Sequence, residues 1–373
     1  MKYSTLGALG VLALLVACGA PPPAPTGASG LGAAPAATIG GPGPETYREQ
    51  VIAAARAEGE VNALLQSTWT PEGIKQLEDA VEREYGVRIK IHFTPVMNYL
   101  QRVPELLAEL AANITPSFDL YQTATDTSAR LVKEDVAESV PWAALLPAGT
   151  PPRVAADSRL LVVYTQHSGL MFDPTTIDRN EAPRSIKDLA NPRWRGKLML
   201  NQYSTTYLPY AVKLGREETL GALRGAVQNG AVSGTYSDLF TRFAAKEYPM
   251  ATIQSTFYLT AQKRGIAADY AFLDFVYASE TYVSVVKRVK HPNAAKLVAA
   301  VLAGPEGQRI GDEHLGLSNH YYGESVEHRL AEQGYAAGLQ SFRWADMPNW
   351  VDVILAPEQQ ELQRALDTVL QGG

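Results

Sequence analysis

The stretch 61–93, VNALLQSTWTPEGIKQLEDAVEREYGVRIKIHF, decides the fold. Val61 to Gln66 is short, largely apolar and preceded by Gly59, as befits a strand buried on both faces. Ser67-Thr68-Trp69-Thr70 breaks it, and Pro71 suits the first position of a helix with Thr70 as its N-cap. Ile74, Leu77, Val81 and Tyr85 recur at helical spacing, and Gly86 stands where a left-handed glycine ends a helix. From Val87 to Phe93 apolar residues alternate with Arg88, Lys90 and His92, the period of a strand. Strand, helix and strand of this length form a crossover between parallel strands. In open α/β sheets ligands bind beyond the carboxyl ends of the strands, where helix N-termini offer unpaired N–H groups. Here that place is Ser67, Thr68 and Trp69, two hydroxyls and a large aromatic face that serves equally well as core packing.

The same strand, polar junction and helix recur along the chain. Phe118 to Gln122 leads into Thr123–Thr127, Gly196 to Asn201 into Gln202–Thr206, and Met250 to Gln254 into Ser255–Tyr258, each followed by a helical pattern. Ser158–Tyr164 and Gly169–Phe172 read as strands that carry the chain into a second region, and a helix is expected over Pro183–Leu189. Strands alternating with helices throughout argue an α/β protein. With 373 residues, two moderate cores are favoured over one large one.

Composition narrows the function. Hydrophobic residues make up 46% and charged residues 19%, the balance of a folded globular chain. A formal net charge of −6, with no long run of Lys or Arg, argues against a nucleic-acid partner. Leu6–Val16 is apolar but too short to span a membrane stably, and Leu15-Val16-Ala17-Cys18 has the form of a bacterial lipobox. Residues 1–17 are thus expected to be a lipoprotein signal peptide, with Cys18, the only cysteine, as the lipidated mature N-terminus. Residues 18–44, rich in Pro, Gly and Ala, are expected to form a disordered tether that anchors an extracytoplasmic body to a membrane.

Catalytic and cofactor signatures are missing. There is no phosphate-binding glycine loop, no H-E-x-x-H, no paired cysteines and no G-x-S-x-G, so no cofactor, metal centre or enzyme activity is expected. His314, His320 and His328 match no metal-ligand spacing and read as surface histidines at helix ends.

Three strings together carry a resemblance. AEGEVNALLQSTWTPEGIKQLEDAVEREYG (57–86), APRSIKDLANPRWRGKLML (182–200) and HPNAAKLVAAVLAGPEGQ (291–308) resemble, in the right order, the extracellular solute-binding proteins of bacterial ABC importers. That class includes ferric-ion, thiamine and polyamine binders. The resemblance implies a two-domain periplasmic-binding-protein fold of type 2, each domain a mixed sheet flanked by helices. It implies a discontinuous domain I, 45–157 plus 276–373, and a domain II over 158–275. The implied activity is capture of a small anionic or zwitterionic solute by hinge closure, as a monomer, and delivery to a membrane permease. Ser67, Thr68, Trp69, Thr123 and Thr125 would face Tyr203, Ser204, Thr205, Thr206, Tyr207 and Tyr258 across the cleft, although Ser and Thr before helices also serve as plain N-caps. Ferric members use adjacent tyrosines after a second-domain strand. The matching point here is Phe257-Tyr258, which leaves Tyr258 alone for a ferric alternative. An anchored hydrolase and a non-transport sensor lipoprotein stand as further alternatives.

Overall fold

The computed structural model describes residues 43–96, 99 and 102–372. Cys18, the expected signal and all but the last two residues of the expected tether lie outside the described residues. The first part of the chain runs α1 (Pro44–Glu58), β1 (Glu60–Gln66), α2 (Pro71–Tyr85), β2 (Lys90–Val96), α3 (Arg102–Ala111), β3 (Leu120–Ala124) and α4 (Thr125–Lys133). The Thr70 hydroxyl accepts the Gly73 N–H at 3.0 Å, Pro71 opens α2, and Gly86 closes it at φ +64°. Both ends of α2 are therefore fixed by local chemistry. β1 lies parallel to β2, Glu60 opposite Lys90 through to Gln66 opposite Val96, and parallel to β3 on its other side.

After β4 (Val154–Ala155) comes β5 (Leu160–Phe172), a single long strand. Next are β6 (Leu198–Asn201), α5 (Leu208–Leu214), α6 (Arg216–Gln228), β7 (Val232–Gly234), α7 (Tyr236–Ala244), β8 (Met250–Gln254) and α8 (Ser255–Lys263). The chain closes with β9 (Asp269–Ala271), β10 (Val276–Val285), α9 (Pro292–Ala303), α10 (Pro305–Leu315), α11 (Val326–Ala336), β11 (Ser341–Phe342), α12 (Trp350–Leu355) and α13 (Pro357–Leu370). No described helix is long and apolar enough to cross a membrane.

The sheet order is β2-β1-β3-β10-β5-β8-β6-β7. Two parallel groups, β2-β1-β3 and β8-β6-β7, are thus joined through an antiparallel central pair, β10 and β5. The Leu161–Tyr164 end of β5 sits beside β10 next to the first group. Its Ser168–Phe172 end pairs with β8 of the second. The middle strand of each group is buried on both faces: Val61, Ala63 and Leu65 enter one core while Leu64 enters another, and Leu198 and Leu200 part in the same way from Met199. That alternation explains strands that read as almost continuous apolar runs.

Several details differ from the sequence reading. The two strands expected at 158–164 and 169–172 are one strand, because pairing with β10 from Leu161 to Ser168 passes without a break into pairing with β8 from Ser168 to Phe172. The helix expected over 183–189 is only a 3-10 turn at Lys187–Ala190. The Asp188 carboxylate takes the N–H groups of Arg184 and Ser185, and Asp274 takes that of Ile186, so those groups are satisfied without a longer helix. The junctions at 123–127 and 255–258 are hardly loops, since Thr125 and Ser255 are already the first residues of helices. The C-terminal segment does not pack with the first group alone. α12 lies on α4, whereas Leu362, Leu366 and Val369 of α13 share a core with Leu198, Leu220 and Leu223.

Candidate ligand-binding cleft

The carboxyl ends of both parallel groups converge on a cavity of about 510 Å³. Gln66 and Ser67 come from the end of β1, Thr125 and Asp126 from the start of α4, and Gln254 from the end of β8. Tyr203, Thr205 and Thr206 come from the turn after β6, and Tyr236 opens α7. The floor is made by the two long strands through Gln166, Ser168, Tyr277, Ser279, Glu280 and Thr281. A smaller space of about 350 Å³ adjoins it, sharing Gln66, Gln166, Tyr203, Tyr236 and Gln254.

Of the residues singled out from sequence, Ser67, Thr125, Tyr203, Thr205 and Thr206 line this cavity. The Thr206 hydroxyl and the Tyr236 phenol are hydrogen-bonded at 2.9 Å, and the rings of Tyr203 and Tyr236 stack with centroids 4.7 Å apart. Six others do not line it. Thr68 is exposed in the turn after β1. Trp69 is buried in the core over Gly73, whose missing side chain makes the room: a Cβ there would lie 3.1 Å from the indole. Thr123 is buried and bonded to Ser128 at 2.6 Å. Ser204 is buried, and the Tyr207 phenol ties β6 to β8 through Thr252 Oγ1 at 2.8 Å and the Asn201 carbonyl at 3.2 Å. Tyr258 packs on Tyr270 with centroids 5.5 Å apart, its oxygen accepting from Gln262 at 2.6 Å.

Among the residues that sequence reasoning missed are Asp126, the three amides Gln66, Gln166 and Gln254, the phenols Tyr236 and Tyr277, and Glu280. Two of the glutamines close apolar strands (LLQ, TIQ), and Glu280 is a lone carboxylate within the apolar run VYASETYVSV, so a signal was present. Glu280 is 3% exposed. It accepts from Arg343 Nε at 2.6 Å and from the Tyr321 phenol at 2.6 Å, while the Tyr282 phenol donates to its other oxygen. Burial, and next the negative charge of Glu280, raise the pKa of Tyr321 far above the phenol range. Burial likewise pushes Tyr277 up to about 12, so these phenols act as neutral donors.

Beneath the cleft, His320 is buried rather than a surface group, while His328 stays partly exposed. His167 of β5 bonds Glu327 through Nδ1 and faces His320 Nδ1 at 3.2 Å through Nε2, and His328 Nδ1 donates to the His320 carbonyl at 2.9 Å. Ser255 donates to Glu327 at 2.6 Å. Serine, carboxylate and imidazole do meet here, yet the carboxylate sits between the other two and all three are buried. A hydrolase needs the imidazole next to the hydroxyl. Among the described residues no cluster of three or more His, Cys, Asp or Glu has the arrangement of a metal site.

Two groups of parallel strands present their carboxyl ends to a shared cleft over a two-strand floor, the place where open α/β sheets take their ligands. Residues 72–314 match the model of the bacterial extracellular solute-binding protein family, and the chain belongs to that family. It is 22% identical over 249 residues to the major ferric iron-binding protein of Neisseria gonorrhoeae, a stretch covering 64% of this chain and 74% of that one. Its fold is similar to that of iron-bound HitA from Pseudomonas aeruginosa, with a TM-score of 0.59 and 19% identity over 82% of this chain and 99% of that one. It is also similar to an ABC transporter substrate-binding protein from Bradyrhizobium japonicum USDA 110, with a TM-score of 0.62 and 14% identity over 84% of this chain and all of that one. The two-domain periplasmic-binding-protein fold inferred from the sequence is the fold observed. As a member of that family, the protein is a bacterial extracellular solute-binding protein.

Proposed function

We propose that the protein captures a small organic solute in the cleft between its two sheet groups, closes on it by a hinge in β5 and β10, and hands it to a membrane permease. The observation that supports this most is the cleft itself. Its volume of about 510 Å³ suits an organic ligand, and among the described residues its floor is the only strand pair that joins the two groups. Residues 45–157 and much of 276–340 would move as one lobe and 158–275 as the other, with α13 riding on the second because its core lies there. Ser67 and Thr125 would touch the solute from one side, and Tyr203, Thr205 and Thr206 from the other. Trp69, Thr123, Ser204, Tyr207 and Tyr258 would act behind the lining, holding its shape. Of the two charge types inferred from sequence, the zwitterion is retained, since among the described residues no Lys, Arg or His lines the cavity to receive an anion.

Solution scattering with and without solute tests the capture step. A bound solute should reduce the radius of gyration, and at a hundred times its Kd should stabilise the fold by about 2.7 kcal/mol. A solute that binds without compaction counts against hinge closure. The body would act as a monomer tethered through lipid on Cys18. Labelling with a fatty-acid probe should be lost on Cys18→Ala, and labelling that persists refutes the anchor.

Ferric iron is a second reading, favoured by the names of the relatives. Tyr258, the phenol at the family's matching position, lies outside the cavity lining, and burial raises the pKa of Tyr236 within it, which disfavours the phenolate a ferric ligand needs. A visible phenolate-to-iron absorption band on adding ferric citrate would establish this reading, and a colourless protein would remove it.

A further inference from the structure

The cavity lining holds two carboxylates, Asp126 and Glu280, and among the described residues no Lys, Arg or His. The sequence between Val96 and Arg102, MNYLQ, adds no cation. Glu280 is answered inside the protein by Arg343. Asp126 is not. Among the described residues its partners are the N–H and hydroxyl of Thr127, both on Oδ1, at 2.7 and 3.3 Å. The positive end of α4 accounts for part of this placement. It also means that the helix end facing the cleft is already met by a negative charge, which makes it a poor seat for a ligand's anion.

The remaining walls are suited to the opposite charge. Tyr203, Tyr236, Tyr277 and Trp344 contribute aromatic groups, and Tyr203 is 39% exposed on its stack with Tyr236. Aromatic faces attract cations and repel anions, more strongly where water is excluded. The other polar groups, Gln66, Gln166 and Gln254 with Ser and Thr hydroxyls, are neutral.

Within the solute-capture reading on which it rests, we infer that the group the cleft recognises is an organic cation. An ammonium or amidinium pairs with Asp126 while its carbon frame lies against the aromatic walls. The class spans simple amines, quaternary ammonium compounds and zwitterions held by their positive end.

Calorimetry on the purified body with a panel sharing one frame tests the assignment: phenethylamine, 2-phenylethanol and 3-phenylpropionate, with choline, putrescine, inorganic phosphate and ferric citrate beside them. At least one amine or quaternary ammonium probe should bind at least tenfold more tightly than the neutral and anionic probes, and less tightly as salt is raised. Asp126→Asn keeps the acceptor for Thr127 and should cost that probe tenfold or more in affinity while leaving the unliganded melting temperature within a few degrees. Asp126→Glu should recover part of the loss. Preferential binding of 3-phenylpropionate, phosphate or ferric citrate overturns the charge assignment and leaves solute capture standing, as does cation binding unchanged in Asp126→Asn. Absence of binding by every probe overturns both.

Discussion

Replacing Glu280 by Gln removes the buried negative charge that answers Arg343 in the middle of the floor. The carboxylate accepts from the guanidinium at 2.6 Å and from two phenols, and the Arg343 side chain is only 10% exposed. An amide of the same shape keeps one acceptor oxygen but turns an NH2 group toward a donor, and it leaves the guanidinium buried without its counter-charge. Arg343 retains the Val154 carbonyl at 3.2 Å and the exposed Asp346 at 3.1 Å, which softens the loss. Removing one partner of a buried pair costs about 3–5 kcal/mol, so about 3 kcal/mol is expected here. For a body of about 330 residues with an unfolding entropy of roughly 2.1 cal/mol/K per residue, that is a fall of about 4 °C in Tm. Calorimetric melting of the unliganded protein measures it. The double variant Glu280→Gln/Arg343→Met should be at least about 1 kcal/mol more stable than the sum of the single losses, because no charge is stranded. A single-variant loss below about 1 kcal/mol, or strictly additive losses, would refute the view that this carboxylate is held by its charge.

Other outcomes follow from neighbouring features. Gly169→Ala should destabilise by about 2–3 kcal/mol, since its Cβ would meet the Ala271 carbonyl oxygen at 2.6 Å and the Tyr270 ring at 2.8 Å, and denaturant melts should show it. Thr70→Ala should cost about 1 kcal/mol by removing the cap of α2, read in the same melts. Burial, followed by the charges of His167 and His328, holds the pKa of His320 down at about 3 against 6.5 for a free imidazole. The unfolded chain therefore binds the extra proton first, and the stability His320 contributes is present above about pH 6.5 and lost as pH falls toward 3. His320→Gln should flatten the decline of Tm between pH 6.5 and 4.5, and an unaltered slope would contradict the assignment.

The unit from β1 to β2 could be read directly because its signals are local: a cap, a proline, a left-handed glycine and two periodicities. The general location of the cleft followed from the same logic, since strand ends and helix starts repeat at 67, 125, 204 and 255. Which side chains face the cleft did not follow. Trp69 turns inward because Gly73, four positions on, leaves space for an indole, and Tyr258 turns inward because Tyr270 offers a ring to pack on. Both are tertiary facts without a local signature. Gln66 and Gln254 were within reach, since an amide at the end of an apolar strand has nowhere to point but outward. The buried histidine group was not, because His167 and His320 are separated by 153 positions and meet only once β5 has folded.

The central strand pair also constrains how the body is made. The outer edge of β3, whose last residue is Ala124, is covered by β10, and β10 begins at Val276. At ribosomal speeds of about 5–20 residues per second, some 150 residues of synthesis separate the strand from its neighbour, a wait of roughly 8–30 s. Throughout that interval a bare, apolar β-edge is a template for the wrong chain. Fragments ending before residue 276 should therefore precipitate, and the nascent polypeptide needs a holding partner until its last quarter emerges.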